Sequence, residues 1–87
     1  MHATVVLSTS DDVAAGPGIV FSVGIAAGAD DASVILKRGG SSGTVICKLV
    51  AKAGTYAQRN FTDGGVYYHD LYATIAGTSP VIDVQLA

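Results

Sequence analysis

The sequence predicts a single all-β domain, a small β-sandwich of jelly-roll type with seven to eight short strands, or failing that a small barrel. Three observations predict it. The straight-chain helix formers are nearly absent, since all seven acidic residues are Asp and only three Lys and two Gln stand beside them. Eleven Val, six Ile and seven Thr supply side chains that pack well on a pleated surface, and eleven Gly supply turns. Between those turns, apolar residues recur with a period of two.

The elements follow in chain order. Met1 to Ser10 is strand-like, with Val5 and Leu7 on one face and Thr4, Val6 and Ser8 on the other. This stretch is either a first strand or an extended N-terminal arm, and Ser10-Asp11-Asp12 ends it. From Val13 to Ala29 the chain carries no charge, but Gly16, Pro17, Gly18, Gly24 and Gly28 interrupt the run and Asp pairs flank it. No membrane span is expected there, because a spanning helix needs about 20 predominantly apolar residues and basic anchors. A strand from Ile19 to Ala26 after a Gly16-Pro17-Gly18 turn is expected instead. The N-terminus lacks the basic region of a signal peptide.

Asp30-Asp31 turns the chain into Ser33–Arg38, and Gly39-Gly40-Ser41-Ser42-Gly43 turns it into Thr44–Val50, together a hairpin. Ala53-Gly54 leads into Thr55–Phe61, and Thr62-Asp63-Gly64-Gly65 is a strong turn signal. A short Val66-Tyr67-Tyr68 segment, a polar turn at His69-Asp70 and a strand from Leu71 to Ala76 come next. Gly77-Thr78-Ser79-Pro80 then opens a last strand in which Ile82, Val84 and Leu86 alternate with Asp83 and Gln85.

With 87 residues and 8.7 kDa the chain is one domain, residues 1–87. Surface scaling gives roughly 4,700 Å² folded against about 12,600 Å² extended, so only about 60% of the surface leaves water. Cys47 is the single cysteine, which leaves no intrachain disulfide to reinforce so small a core. Association of copies is the remaining staple. It agrees with four segments that are apolar on both faces: Val5-Val6-Leu7, Ile19-Val20-Phe21, Val34-Ile35-Leu36 and Val45-Ile46-Cys47. Apolar residues make up 49% of the chain and charged ones 14%, which leaves an adhesive surface and little repulsion between copies. A net charge of -2 gives no footprint for nucleic acid.

Candidate chemistry is sparse. His69-Asp70 invites an acid/base reading, but neighbours in sequence rarely aim at one substrate, and no serine elbow or oxyanion site accompanies them. No enzyme, cofactor or metal is expected, and no catalytic residue is assigned. Asp11-Asp12 and Asp30-Asp31 have carboxylates suited to Ca²⁺, although turn chemistry explains them more simply. Tyr56, Arg59, Tyr67, Tyr68 and Tyr72 form the candidate interface, as a sugar- or protein-binding patch or as packing at a rim between subunits. Cys47 reads as a buried small hydrophobe. Lys37-Arg38, Lys48 and Lys52 are either a basic stripe for an acidic partner or edge charges that discourage strand pairing.

One resemblance covers Ala32 to Val84. Ser33-Val-Ile-Leu-Lys-Arg-Gly39, Ser42-Gly-Thr-Val-Ile46, Ala53-Gly-Thr55, Phe61 with Asp63-Gly64-Gly65, and Leu71-Tyr-Ala-Thr-Ile-Ala-Gly-Thr78 leading to Val81-Ile-Asp-Val84 resemble small β-rich virion proteins of tailed bacteriophages. The resemblance is to the capsid decoration or cement type. It implies a homotrimer on the capsid surface, bound to the major capsid protein, with no nucleic acid or membrane partner. The alternative is a carbohydrate- or receptor-binding module of a phage tail or an adhesin, with the tyrosines as the contact.

Overall fold

The computed structural model describes residues 3–61 and 64–86. Among the described residues there are seven strands: β1 (Ala3–Leu7), β2 (Asp11–Ala26), β3 (Ala32–Arg38), β4 (Thr44–Ala51), β5 (Tyr56–Asn60), β6 (Val66–Ala76) and β7 (Val81–Leu86). Every pairing is antiparallel. The hydrogen-bonded order is β1-β7-β2-β6-β3-β4, with β5 attached to β2.

The 16-residue β2 explains how one continuous sheet becomes a sandwich. Its first half, Asp11 to Val20, pairs with β6, whereas its second half lies between β7 and β5. Counting β2 once in each layer gives β2-β6-β3-β4 on one side and β1-β7-β2-β5 on the other. That is the strand order of a jelly roll, with eight strand positions filled by seven segments. The expected all-β jelly-roll sandwich is therefore the observed fold.

Alternation builds the core between the layers. Val20, Val23 and Ile25 of β2, Val34 and Leu36 of β3, Leu71 and Ala73 of β6, and Ile82 and Val84 of β7 are fully buried. β7 turns every second side chain inward along its whole length, whereas β2 and β6 break the alternation, with Val20 and Val23, and Tyr68 and Leu71, three residues apart. The accessible surface is 4642 Å², close to the scaling value, so the chain buries no more than its size allows.

Three expectations need correction. Ser10-Asp11-Asp12 does not lie between elements, because Asp11 already begins β2. Gly16-Pro17-Gly18 is no turn either; the strand continues through it with register shifts between Asp12 and Ala14 and between Ala14 and Pro17. Gly16 at φ 76° absorbs the irregularity, and this half of β2 is a sheet edge, where a proline without an N–H costs no ladder bond. Finally, Val66–Tyr68 and Leu71–Ala76 are one strand, which passes through His69-Asp70 with Asp70 at φ 58°.

The β3–β4 hairpin stands as expected, paired from Ala32↔Ala51 to Arg38↔Thr44 with one register shift between Leu36 and Lys37. The N-terminal stretch from Ala3 to Leu7 is hydrogen bonded along β7, so it belongs to the sheet and is no free arm. Met1, His2 and the Thr62-Asp63 part of the expected turn lie outside the described residues. Among the described residues no helix is long and apolar enough to cross a membrane.

Candidate functional site

The five candidate interface residues are not brought into one patch. Tyr56 and Arg59 stand on β5 in one layer, and Tyr67, Tyr68 and Tyr72 on β6 in the other. Tyr56 pairs with Ala26 on the outer face, and its ring lies over Gly24, where the glycine leaves room for it. Its hydroxyl donates a long 3.5 Å bond to Asp83 Oδ1. Desolvation first, and then the Asp83 charge, push the Tyr56 phenol above its ordinary pKa.

Arg59 takes the opposite direction. It pairs with the buried Val23, so it points toward the open edge of the sandwich, and its guanidinium sits 5.7 Å from the centre of the Phe61 ring. Cys47 is buried in the core beside it, and desolvation pushes its thiol up although the Arg59 charge pulls the other way. A thiol so placed is a poor nucleophile at neutral pH.

On β6, Tyr68 turns inward and is 4% exposed, packed over Gly18 directly across the ladder. A side chain at Gly18 would collide with that ring, so the glycine and the tyrosine form one packing unit. Tyr67 is 60% exposed, and Tyr72 is half-buried on the outer face between Lys37 and Asp12. The exposed aromatic surface of this layer is therefore Tyr67.

His69-Asp70 forms a structural junction inside β6. Asp70 Oδ1 accepts the Gly16 N–H at 2.7 Å, and its Oδ2 lies 3.0 Å from His69 Nδ1. The Asp70 carbonyl accepts the N–H groups of Gly39 and Gly40 at 3.2 and 3.0 Å, and the His69 carbonyl accepts Gly39 at 2.8 Å. One residue thus ties the bulge of β2, the bulge of β6 and the β3–β4 turn together. The Gly16 hydrogen bond first, and the His69 contacts after it, hold the Asp70 carboxyl below its ordinary pKa. Sequence reading missed this role because its partners lie 54 residues away at Gly16 and across the sheet at the hairpin turn.

Next to the junction, Arg38, Gly39, Tyr67 and His69 line an open concavity of about 340 Å³. Among the described residues His69–Asp70 is the one ion pair, so the Arg38 guanidinium at its rim has no carboxylate within reach. Lys37 is engaged elsewhere, donating to the Ser41 carbonyl at 3.1 Å. Lys48 and Lys52 are exposed.

The paired carboxylates do not simply serve their own turns: Asp11 bonds its neighbour inside β2, whereas Asp30 and Asp31 bind groups distant in sequence. Asp11 Oδ1 accepts the Asp12 N–H at 2.7 Å, Asp30 Oδ2 accepts the Thr78 hydroxyl at 2.7 Å, and Asp31 Oδ1 accepts the Ala53 N–H at 2.8 Å. Among the described residues no group of three or more His, Cys, Asp or Glu side chains is placed to hold a metal ion.

Most of the large exposed apolar side chains lie on the sheet margins, whereas Tyr67 and Val81 lie on the interior strands β6 and β7. Val6 is on β1, Val45 and Val50 are on β4, and Tyr56 is on β5, each an edge strand, while Val81 begins β7. Of the four segments apolar on both faces, two leave a valine, Val6 or Val45, largely in water. The second faces of the other two, at Ile19, Phe21 and Ile35, are half covered by the protein itself.

No family model and no curated protein matches the chain. Among solved structures, it is similar to a protein from work described as "Bacillus endospore appendages form a novel family of disulfide-linked pili". The TM-score is 0.57 with 15% sequence identity, over 100% of this chain and 87% of that one. The likeness is one of fold: both chains have the small all-β architecture.

Proposed function

We propose that this protein is a structural subunit that works by assembly of many copies on an outer surface. The observation that carries the reading is the set of exposed valines on the edge strands β1 and β4. An edge strand offers unpaired backbone donors and acceptors, and apolar side chains along it add area to any strand or surface laid beside it. The fold shared with a pilus protein supports a structural role. Disulfide linkage of copies is not part of this reading, because Cys47 is buried, 5% exposed, and presents no thiol to a neighbour.

In its particular form, the reading is a homotrimeric decoration protein of a phage capsid, bound to the major capsid protein at the virion surface. The sequence resemblance over Ala32 to Val84 supports that form. Light scattering after size-exclusion chromatography, followed by electron microscopy, tests both levels. A closed trimer that binds capsids is expected. Filaments would replace decoration by an appendage role, and a monomer at every concentration would refute assembly altogether.

A further inference from the structure

The concavity beside the Asp70 junction has a chemistry that assembly does not use. We infer that Arg38, Tyr67 and His69 form a binding site for a carboxylated sugar, a uronic- or sialic-acid-type ring. The inference stands independently of the assembly reading. Arg38 supplies a cation with no carboxylate partner among the described residues, suited to a two-point bond with a ligand carboxylate. Tyr67 supplies an aromatic ring left 60% exposed, onto which the C–H face of a pyranose packs.

His69 supplies the group that separates a sugar from a simple carboxylate. Its Nδ1 is engaged by Asp70 Oδ2 at 3.0 Å, which fixes the ring. With the proton on Nδ1, Nε2 is an acceptor, and a sugar hydroxyl donates to it. The Asp70 carboxylate is bonded to the Gly16 N–H and to His69 and is not part of the concavity's lining, which leaves Arg38 as the charged side chain that a ligand carboxylate meets directly. Gly39 brings backbone without a side chain to the same wall, which lets a ring approach closely. A volume of about 340 Å³ lies at the small end of ligand sites, enough for one or two sugar rings and too small for a folded partner.

The test is a two-dimensional NMR titration of the isotope-labelled full chain with N-acetylneuraminic acid and with a galacturonic acid trimer. A neutral galactose trimer and a glutamate-rich peptide serve as comparisons. Saturable shifts centred on Arg38, Gly39, Tyr67 and His69 are expected with at least one acidic sugar. Affinity should fall about tenfold for the neutral trimer and for Arg38→Gln, the loss of one charge-assisted bond. Tyr67→Ala should fall by a similar factor, with the unliganded spectrum of each variant showing that it remains folded. Equal binding of the neutral trimer, unchanged binding by folded Arg38→Gln, tighter binding of the peptide, or no saturable shift with either acidic sugar would overturn the inference.

Discussion

The two halves of β2 solve the same problem in different ways. The second half lies between β7 and β5: its ladder with β5 is unbroken, its ladder with β7 shifts register once, between Val20 and Ser22, and Val23 and Ile25 are fully buried in the core. The first half pairs with β6 alone, loses register twice, and depends on a side chain, Asp70, to fasten Gly16 across the sheet. A regular ladder distributes its stabilisation over many weak and interchangeable bonds. A bulged one concentrates it in a few groups that have no substitute.

Core truncation should have the largest effect and tests whether the halves unfold together. Ile25→Ala in the regular half and Leu71→Ala beside the bulge each remove a fully buried side chain, at a cost of about 2–5 kcal/mol. One cooperative transition at a lowered Tm is expected for both in a thermal melt. An early separate transition in Leu71→Ala alone would show that the bulged half is its own folding unit.

Asp70→Ala should be next, and selective. It removes the acceptor of Gly16, so hydrogen exchange should accelerate most at Gly16 and less at Gly39 and Gly40, which bond to main-chain carbonyls that remain, while Val23 and Ile25 stay protected. Tm should fall on the order of 5 °C, and Asp70→Asn, which keeps an acceptor oxygen, should lose less. Equal acceleration in both halves would remove the distinction between them.

The acid limb of stability sharpens the same point. The folded Asp70 carboxyl lies below its ordinary value of 3.8, so its contribution is complete above that value and disappears as pH falls through the lower folded pKa. Urea melts over this range should show wild type losing stability that Asp70→Asn never had. The two curves should converge at the acid end. The smallest effect is expected at Tyr56→Phe in the regular layer, where only a long, solvent-exposed bond to Asp83 is removed. Its Tm should match wild type closely.

Legibility in the sequence follows the same division. β7 was readable from its period-two pattern, and the β3–β4 hairpin from two apolar runs joined by the Gly39-Gly40-Ser41-Ser42-Gly43 turn. The strand through Gly16-Pro17-Gly18 was not, since glycine and proline there carry the usual signature of a turn while the chain uses them in a bulged edge. The break assigned to His69-Asp70 failed for a related reason: a left-handed residue inside a strand is affordable only when distant groups satisfy it. Among the candidate interface residues, tyrosine content put Tyr67 and Tyr68 forward alike, and the structure leaves Tyr67 60% exposed. Nothing local distinguished it from Tyr68, one residue on and facing the core.

Composition and alternation alone determined that this chain is β, thinly charged and too small to hide all its apolar residues. Those properties are sums over residues or periods of two, and neither depends on where the strands lie. Only the tertiary structure decided that one strand serves both layers, that Asp70 is a structural junction, and that Arg38, Tyr67 and His69 share a concavity. Each of these arises from pairing between segments distant in sequence, and hydrogen-bond register across such distances leaves no periodic trace in the residues themselves.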